Sequence, residues 1–90
     1  MESFPPELRQ QMFEANGYRC GIDPTLPADD AHHIKRNCKV NRKKWPHFIQ
    51  SPFNLFPVNH GKHLTAPLPE PPSDLVCDVF ENYLRGLLNG

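Results

Sequence analysis

Apolar residues fall at helical spacing at the two ends of this 90-residue chain, and not in its middle. Near the start, Leu8, Met12 and Phe13 share one face of a segment running from Pro5 to Gly17. Proline in the first turn, Glu7 at the positive dipole end and Gly17 at the stop predict a short helix there. Near the finish, Val76, Val79, Phe80, Tyr83, Leu84 and Leu87 form a stripe at helical spacing, preceded by Ser73 as a capping residue and Asp74. This stripe predicts a helix over about 73–88 that covers a small core or offers a face to a protein partner or a second copy. Covering the core is the simpler use.

Between the ends the apolar runs are short and punctuated. Tyr18–Ile22 reads as a strand, Asp23–Asp30 as a turn, Ala31–Lys35 as a strand and Phe53–Phe56 as another, stopped by Pro57. A short helix is expected over about Val58–Thr65, ended by Pro67. Trp45, Phe48 and Ile49 are expected to anchor the long connection between the last two strands onto the core. Pro67–Pro72 reads as a stiff extended linker. The pattern is that of one α+β domain spanning residues 1–90, with no internal repeat.

Composition narrows the class. Eleven prolines and a mean hydropathy of −0.61 fit a loop-rich fold with short elements. No run reaches the ~18–20 apolar residues of a membrane span, and the first residues lack the basic and apolar stretches of a signal peptide. Three widely spaced cysteines, Cys20, Cys38 and Cys77, argue against a disulfide framework and for reduced thiols in a cytoplasmic setting.

The formal net charge of zero conceals a polarised chain. Lys35, Arg36, Lys39, Arg42, Lys43 and Lys44 lie within ten residues, and no acidic residue occurs between Ala31 and Glu70. Glu70, Asp74, Asp78 and Glu81 then follow. A concentrated basic segment is the footprint of a polyanion binder, although a charge run taken alone is more often a solvated surface.

The candidate chemistry lies in the histidines. Four of five sit in Ala31-His32-His33-Ile34 and in Asn54-Leu55-Phe56-Pro57-Val58-Asn59-His60-Gly61-Lys62-His63. A neutral imidazole can accept a proton near neutral pH, and a divalent metal can polarise a phosphate. Neighbouring side chains on a strand point to opposite faces, so His32 and His33 suit different tasks. One would ligate a metal with His63 and the other would activate water. His60, three residues before His63, suits a phosphate contact or a supporting role beside the ligand. Asp29 and Asp30 read as turn formers; an outer role beside the metal is the weaker alternative.

The order of a His-Ile strand, a loop, an Asn-Leu strand and a helix with histidine nine residues after the asparagine resembles the HNH (ββα-metal) nuclease family. The helix and strand around Phe13–Cys20 also resemble what often precedes that motif, so the likeness covers about residues 5–66, with the motif core over about 18–66. The resemblance implies a ββα-metal core, a β-hairpin plus short helix, flanked by N- and C-terminal helices. It implies a DNA endonuclease with His33 as general base, Asn54 as the residue that orients it, and His32 and His63 as ligands of one divalent ion. Two imidazoles suit Mn, Ni or Zn better than Mg. Lys35, Arg36, Lys39, Arg42, Lys43, Lys44 and Lys62, with His60, would hold the DNA backbone with little sequence specificity.

The chain also departs from the family. Many members carry two Cys-x-x-Cys pairs on a structural zinc; here Cys20 has no partner two residues on, and no such zinc is expected. The His-His pair resembles a branch of bacterial toxin nucleases. Two rival readings stand beside the nuclease. One is a non-catalytic nucleic-acid-binding module whose metal is closed off by His32, His63 and one of Cys20, Cys38 or His60. The other is an accessory subunit of a phage packaging or recombination complex, docking through its last helix.

Overall fold

The computed structural model describes residues 3–89. It is an α+β fold in the order α1 (Pro6–Ala15), β1 (Asp30–His33), α2 (Lys39–Lys44), a 3-10 turn (Pro52–Asn54), β2 (Leu55–Val58), α3 (His60–Thr65) and α4 (Asp74–Asn89). Helix α1 begins on proline and ends with Gly17 at φ 63°. The Tyr18 N–H donates to the Phe13 carbonyl and the Gly17 N–H to that of Glu14, which satisfies carbonyls that the helix end leaves open. Of its apolar face, Phe13 is buried, while Leu8 and Met12 are half-buried.

The two strands pair antiparallel, with His32 opposite Phe56 and His33 opposite Leu55. Both boundaries differ from the sequence expectation. β1 starts at Asp30, inside the segment read as a turn, and β2 continues through Pro57 to Val58. Pro57 is tolerated because its missing N–H points away from β1. Its carbonyl, on that same outer edge, accepts the Gly21 N–H at 2.9 Å. Glycine at position 21 suits this approach: a Cβ there would lie 2.6 Å from the Phe56 ring and 3.1 Å from the Pro57 carbonyl oxygen, so the ring would have to move. The stretch read as a strand over Tyr18–Ile22 forms only an isolated bridge, Arg19 to Pro27.

The basic connection contains α2, a helix that the sequence pattern does not announce, since its six residues carry four cations and one valine. Trp45, Phe48 and Ile49 follow it into a buried cluster with Cys77, against which Phe80 and Leu84 pack. The anchoring role expected of these rings is therefore filled. The C-terminal stripe covers less than expected. Val79 is 63% exposed, Tyr83 55% and Leu87 62%, so α4 lays only one edge of its apolar face on the core. Among the described residues, no helix is long and apolar enough to cross a membrane.

Polar contacts add to the apolar edge that Cys77, Phe80 and Leu84 lay on the core. The Glu81 side chain is 4% exposed, and its carboxylate accepts the backbone N–H groups of His47 and Phe48 at 2.9 Å each, His47 Nδ1 at 2.6 Å and Arg85 Nε at 2.9 Å. Trp45 Nε1 donates to Asp78 one turn earlier. Burial pushes the Glu81 carboxyl up, but the four donors outweigh it and hold it below the usual glutamate range. A carboxyl lowered on folding stabilises the fold above its unfolded pKa, and that contribution is lost as pH falls through the folded value. Glu81→Ala orphans two backbone donors and should cost ~2–4 kcal/mol in urea unfolding at pH 7. Below the carboxylate range, where Glu81 is already protonated, the gap between variant and wild type should shrink.

Candidate functional site

Asn54 closes the hairpin around its long connection. It is fully buried; its Oδ1 accepts the Lys35 N–H at 2.6 Å, and its Nδ2 donates to the carbonyls of Lys35 at 3.1 Å and Ile49 at 3.0 Å. Its own carbonyl accepts the Ile34 N–H at 2.9 Å, extending the ladder past His33. Asn54 thus fixes both ends of the connection without itself facing solvent.

Helix α3 is set by a second asparagine. The Asn59 side chain accepts the Gly61 N–H at 3.1 Å and donates to the Pro27 carbonyl, while the His60 N–H donates to Asp29 Oδ1 at 2.6 Å. One turn into α3, His63 meets β1. Its Nε2 lies 3.1 Å from His32 Nδ1, with the two rings edge to face. On its other side, His63 Nδ1 lies 3.0 Å from Asp30 Oδ2, an oxygen that also accepts His60 Nδ1 at 2.7 Å.

Asp30 therefore sits beside the histidine pair, the weaker of the two expectations for it, rather than in a turn. It is the first residue of β1, on the same strand face as His32 and one strand repeat away, and that period-two relation was the available signal. Facing a carboxylate, His63 Nδ1 carries hydrogen, and Nε2 is left as the nitrogen that meets His32. Burial raises the Asp30 carboxyl, yet hydrogen bonds from His63 and His60 hold it below the usual aspartate range. The same carboxylate raises His60 above the ordinary histidine value. His60 thus supports the pair through Nδ1, while its side chain stays exposed.

His33 points to the other face of the strand. Its Nε2 lies 2.7 Å from Gln50 Oε1, and its ring stacks on Phe4 at a centroid distance of 3.7 Å and an interplanar angle of 6°. Burial, then the charge of Arg42, lowers its pKa against the opposing bond from Gln50. His32 is lowered too, by burial and then by its neighbours His63 and His33. All three histidines line one cleft of about 580 Å³, with Ser3, Arg36, Asn37 and Pro71 among its walls.

The expected cations divide. Arg36 lines the cleft, and Lys39, Lys43 and Lys44 are exposed on α2. Arg42 donates to Asn37, and Lys62 is half-buried. Lys35 leaves the set. Its ammonium bonds Asp74 at 3.0 Å and the Pro72 carbonyl at 3.1 Å, and it lies over the Trp45 ring. Lys35 therefore ties α4 to the hairpin instead of meeting phosphate.

The residues fit a two-imidazole metal site. Nitrogens ~2.0–2.1 Å from one ion are about 3 Å apart when they subtend about a right angle, and His32 and His63 present theirs at 3.1 Å. Among the described residues, no group of three or more His, Cys, Asp or Glu could hold a metal ion. The closed site that would add Cys20, Cys38 or His60 is therefore not formed. Cys20 instead accepts the N–H groups of Ile22 and Asp23 at 3.4 Å. Compared with protein-family models, curated proteins and solved structures, the chain has no match.

Removing the carboxylate that orients His63 should weaken divalent-metal binding. Asp30→Asn is expected to lose about 10–100-fold in affinity by calorimetric titration, without loss of the fold. Because burial lowers His32, protons should compete with the metal for this one ligand below the ordinary histidine range of about pH 6.5.

Proposed function

We propose that this protein is a metal-dependent endonuclease that hydrolyses DNA phosphodiester bonds, as its resemblance to HNH nucleases implies. The single observation that carries this reading is the meeting of His32 and His63 at 3.1 Å in a cleft that His33 and Arg36 also line. Two ligand nitrogens, a neutral imidazole and a guanidinium around one open cleft could supply the cation site, the base and the phosphate contact that cleavage of a phosphodiester uses.

His32 and His63 would hold one divalent ion, Mn, Ni, Zn or Mg. The ion would supply charge neutralisation at the scissile phosphate and the departing 3′ oxygen. His33, lowered and therefore neutral at pH 7, takes the proton of the attacking water. The water oxygen bonds to phosphorus as the P–O3′ bond breaks, and the leaving oxygen takes a proton from solvent. Asn54 holds the strand end that carries His33, and so acts on the base through the backbone. With only two protein ligands, metal affinity should be modest and should rise when phosphate is present.

Arg36, Lys39, Arg42, Lys43, Lys44 and Lys62 would grip the backbone without reading bases. The exposed edge of α4 is the surface on which a protein partner or a second copy would sit.

A supercoiled-plasmid assay on metal-stripped protein tests the reading. Restoring Mn, Ni, Zn or Mg should produce nicked or linear DNA, and His33→Ala should lower the rate about 10²–10⁴-fold while still binding metal. Absence of cleavage with every metal would remove the enzyme reading. DNA affinity should fall steeply with salt, and replacing Lys39 and Lys43 together by alanine should reduce the log–log slope by about 2.

A further inference from the structure

His33 is held by more than its own strand. The segment leading into α1 lies across it: Phe4, 2% exposed, stacks parallel on the imidazole, and Gln50 meets Nε2. Stacking restrains the ring plane, and the hydrogen bond restrains which edge of the ring faces the amide. A glutamine amide could in principle present either its oxygen or its nitrogen to a histidine. Here the choice is made by a third group. Gln50 Nε2 donates to the Ser3 carbonyl at 2.9 Å, and a carbonyl can only accept. The amide oxygen must then face His33, so the ring nitrogen opposite it must carry hydrogen.

We propose that Gln50, oriented by the Ser3 carbonyl, and Phe4 are positioning residues that hold His33 as its Nε2–H tautomer and reserve Nδ1 as the proton-accepting nitrogen. This rests on the reading of His33 as the base, and it deepens that reading by naming the atom. It also gives the segment before α1 a task. The sequence shows only Ser3 and Phe4 ahead of two prolines, with no relation to the histidine motif thirty residues on. The device is a relay of orientation: backbone carbonyl to amide, amide to imidazole, with an aromatic plate against the ring.

The tautomer can be read without any cleavage assay. Long-range ¹H–¹⁵N correlation spectra of the metal-free full chain at pH 8, with His33 identified by its loss in His33→Gln, should show Nε2 protonated and Nδ1 bare. Gln50→Leu should give a tautomer mixture for His33. Where cleavage is measurable, it should lower kcat about 10–100-fold with KM little changed. Gln50→Glu, which retains an acceptor for His33, should restore most of the tautomer signature; Phe4→Leu should give a smaller loss. Wild-type His33 found as the Nδ1–H tautomer, or as an even mixture, would overturn the proposal even if Gln50→Leu does not fold. So would a folded Gln50→Leu with unchanged tautomer and rate. If no metal supports cleavage but the Nε2–H signature is present and depends on Gln50, the positioning stands and the nuclease reading fails; cleavage with the wrong tautomer is the reverse.

Discussion

The buried side chain of Asn54 is the constraint on which the rest of this small structure depends. The connection between the strands carries most of the basic charge and the anchoring Trp45, Phe48 and Ile49, and closing it costs conformational entropy. Asn54 offsets that cost by satisfying three backbone groups from both ends of the connection at once. A buried amide must make its bonds or cost ~1–3 kcal/mol per orphaned group. The geometry around it is accordingly specified, and with it the strand ending at His33. Asn54 is thus structural in its contacts, and what they hold in place is the strand end that carries His33.

A second polar centre balances the first. The Asp30 carboxylate gathers His60 and His63 on α3, and His63 in turn meets His32 on β1. The hairpin and the helix are thus joined by the same groups that would serve a metal. At the far side, Glu81 and the Lys35–Asp74 pair attach α4 by polar bonds where its apolar stripe does not reach. In a chain this short, a limited apolar core leaves buried polar junctions to fix geometry.

The parts of this arrangement with a strong local signal were legible in the sequence: both terminal helices from their periodicity and caps, the hairpin histidines, and the anchoring rings. Asp30 was ranked first as a turn former, because aspartate after proline and alanine is ordinary turn composition, and its contacts with His60 and His63 exist only once α3 folds back. Pro57 looks like a strand stop, and only the edge position of its missing N–H makes it harmless. Lys35 belongs to a basic run by sequence, but its pairing with Asp74 is nearly forty residues distant. The half-used stripe of α4 follows the helix period faithfully; periodicity reports an apolar face and not how much of it the core can cover. The His33–Gln50–Ser3 relay joins three segments that share no motif.

The central claim is that His32 and His63 are brought together to hold one divalent ion. X-ray absorption at the metal edge of protein loaded with one equivalent of zinc addresses it directly. The account predicts nitrogen and oxygen neighbours at ~2.0–2.1 Å, with two imidazoles and no sulfur, and one imidazole fewer in His32→Ala. A sulfur shell, or an imidazole count unchanged in that variant, would contradict it.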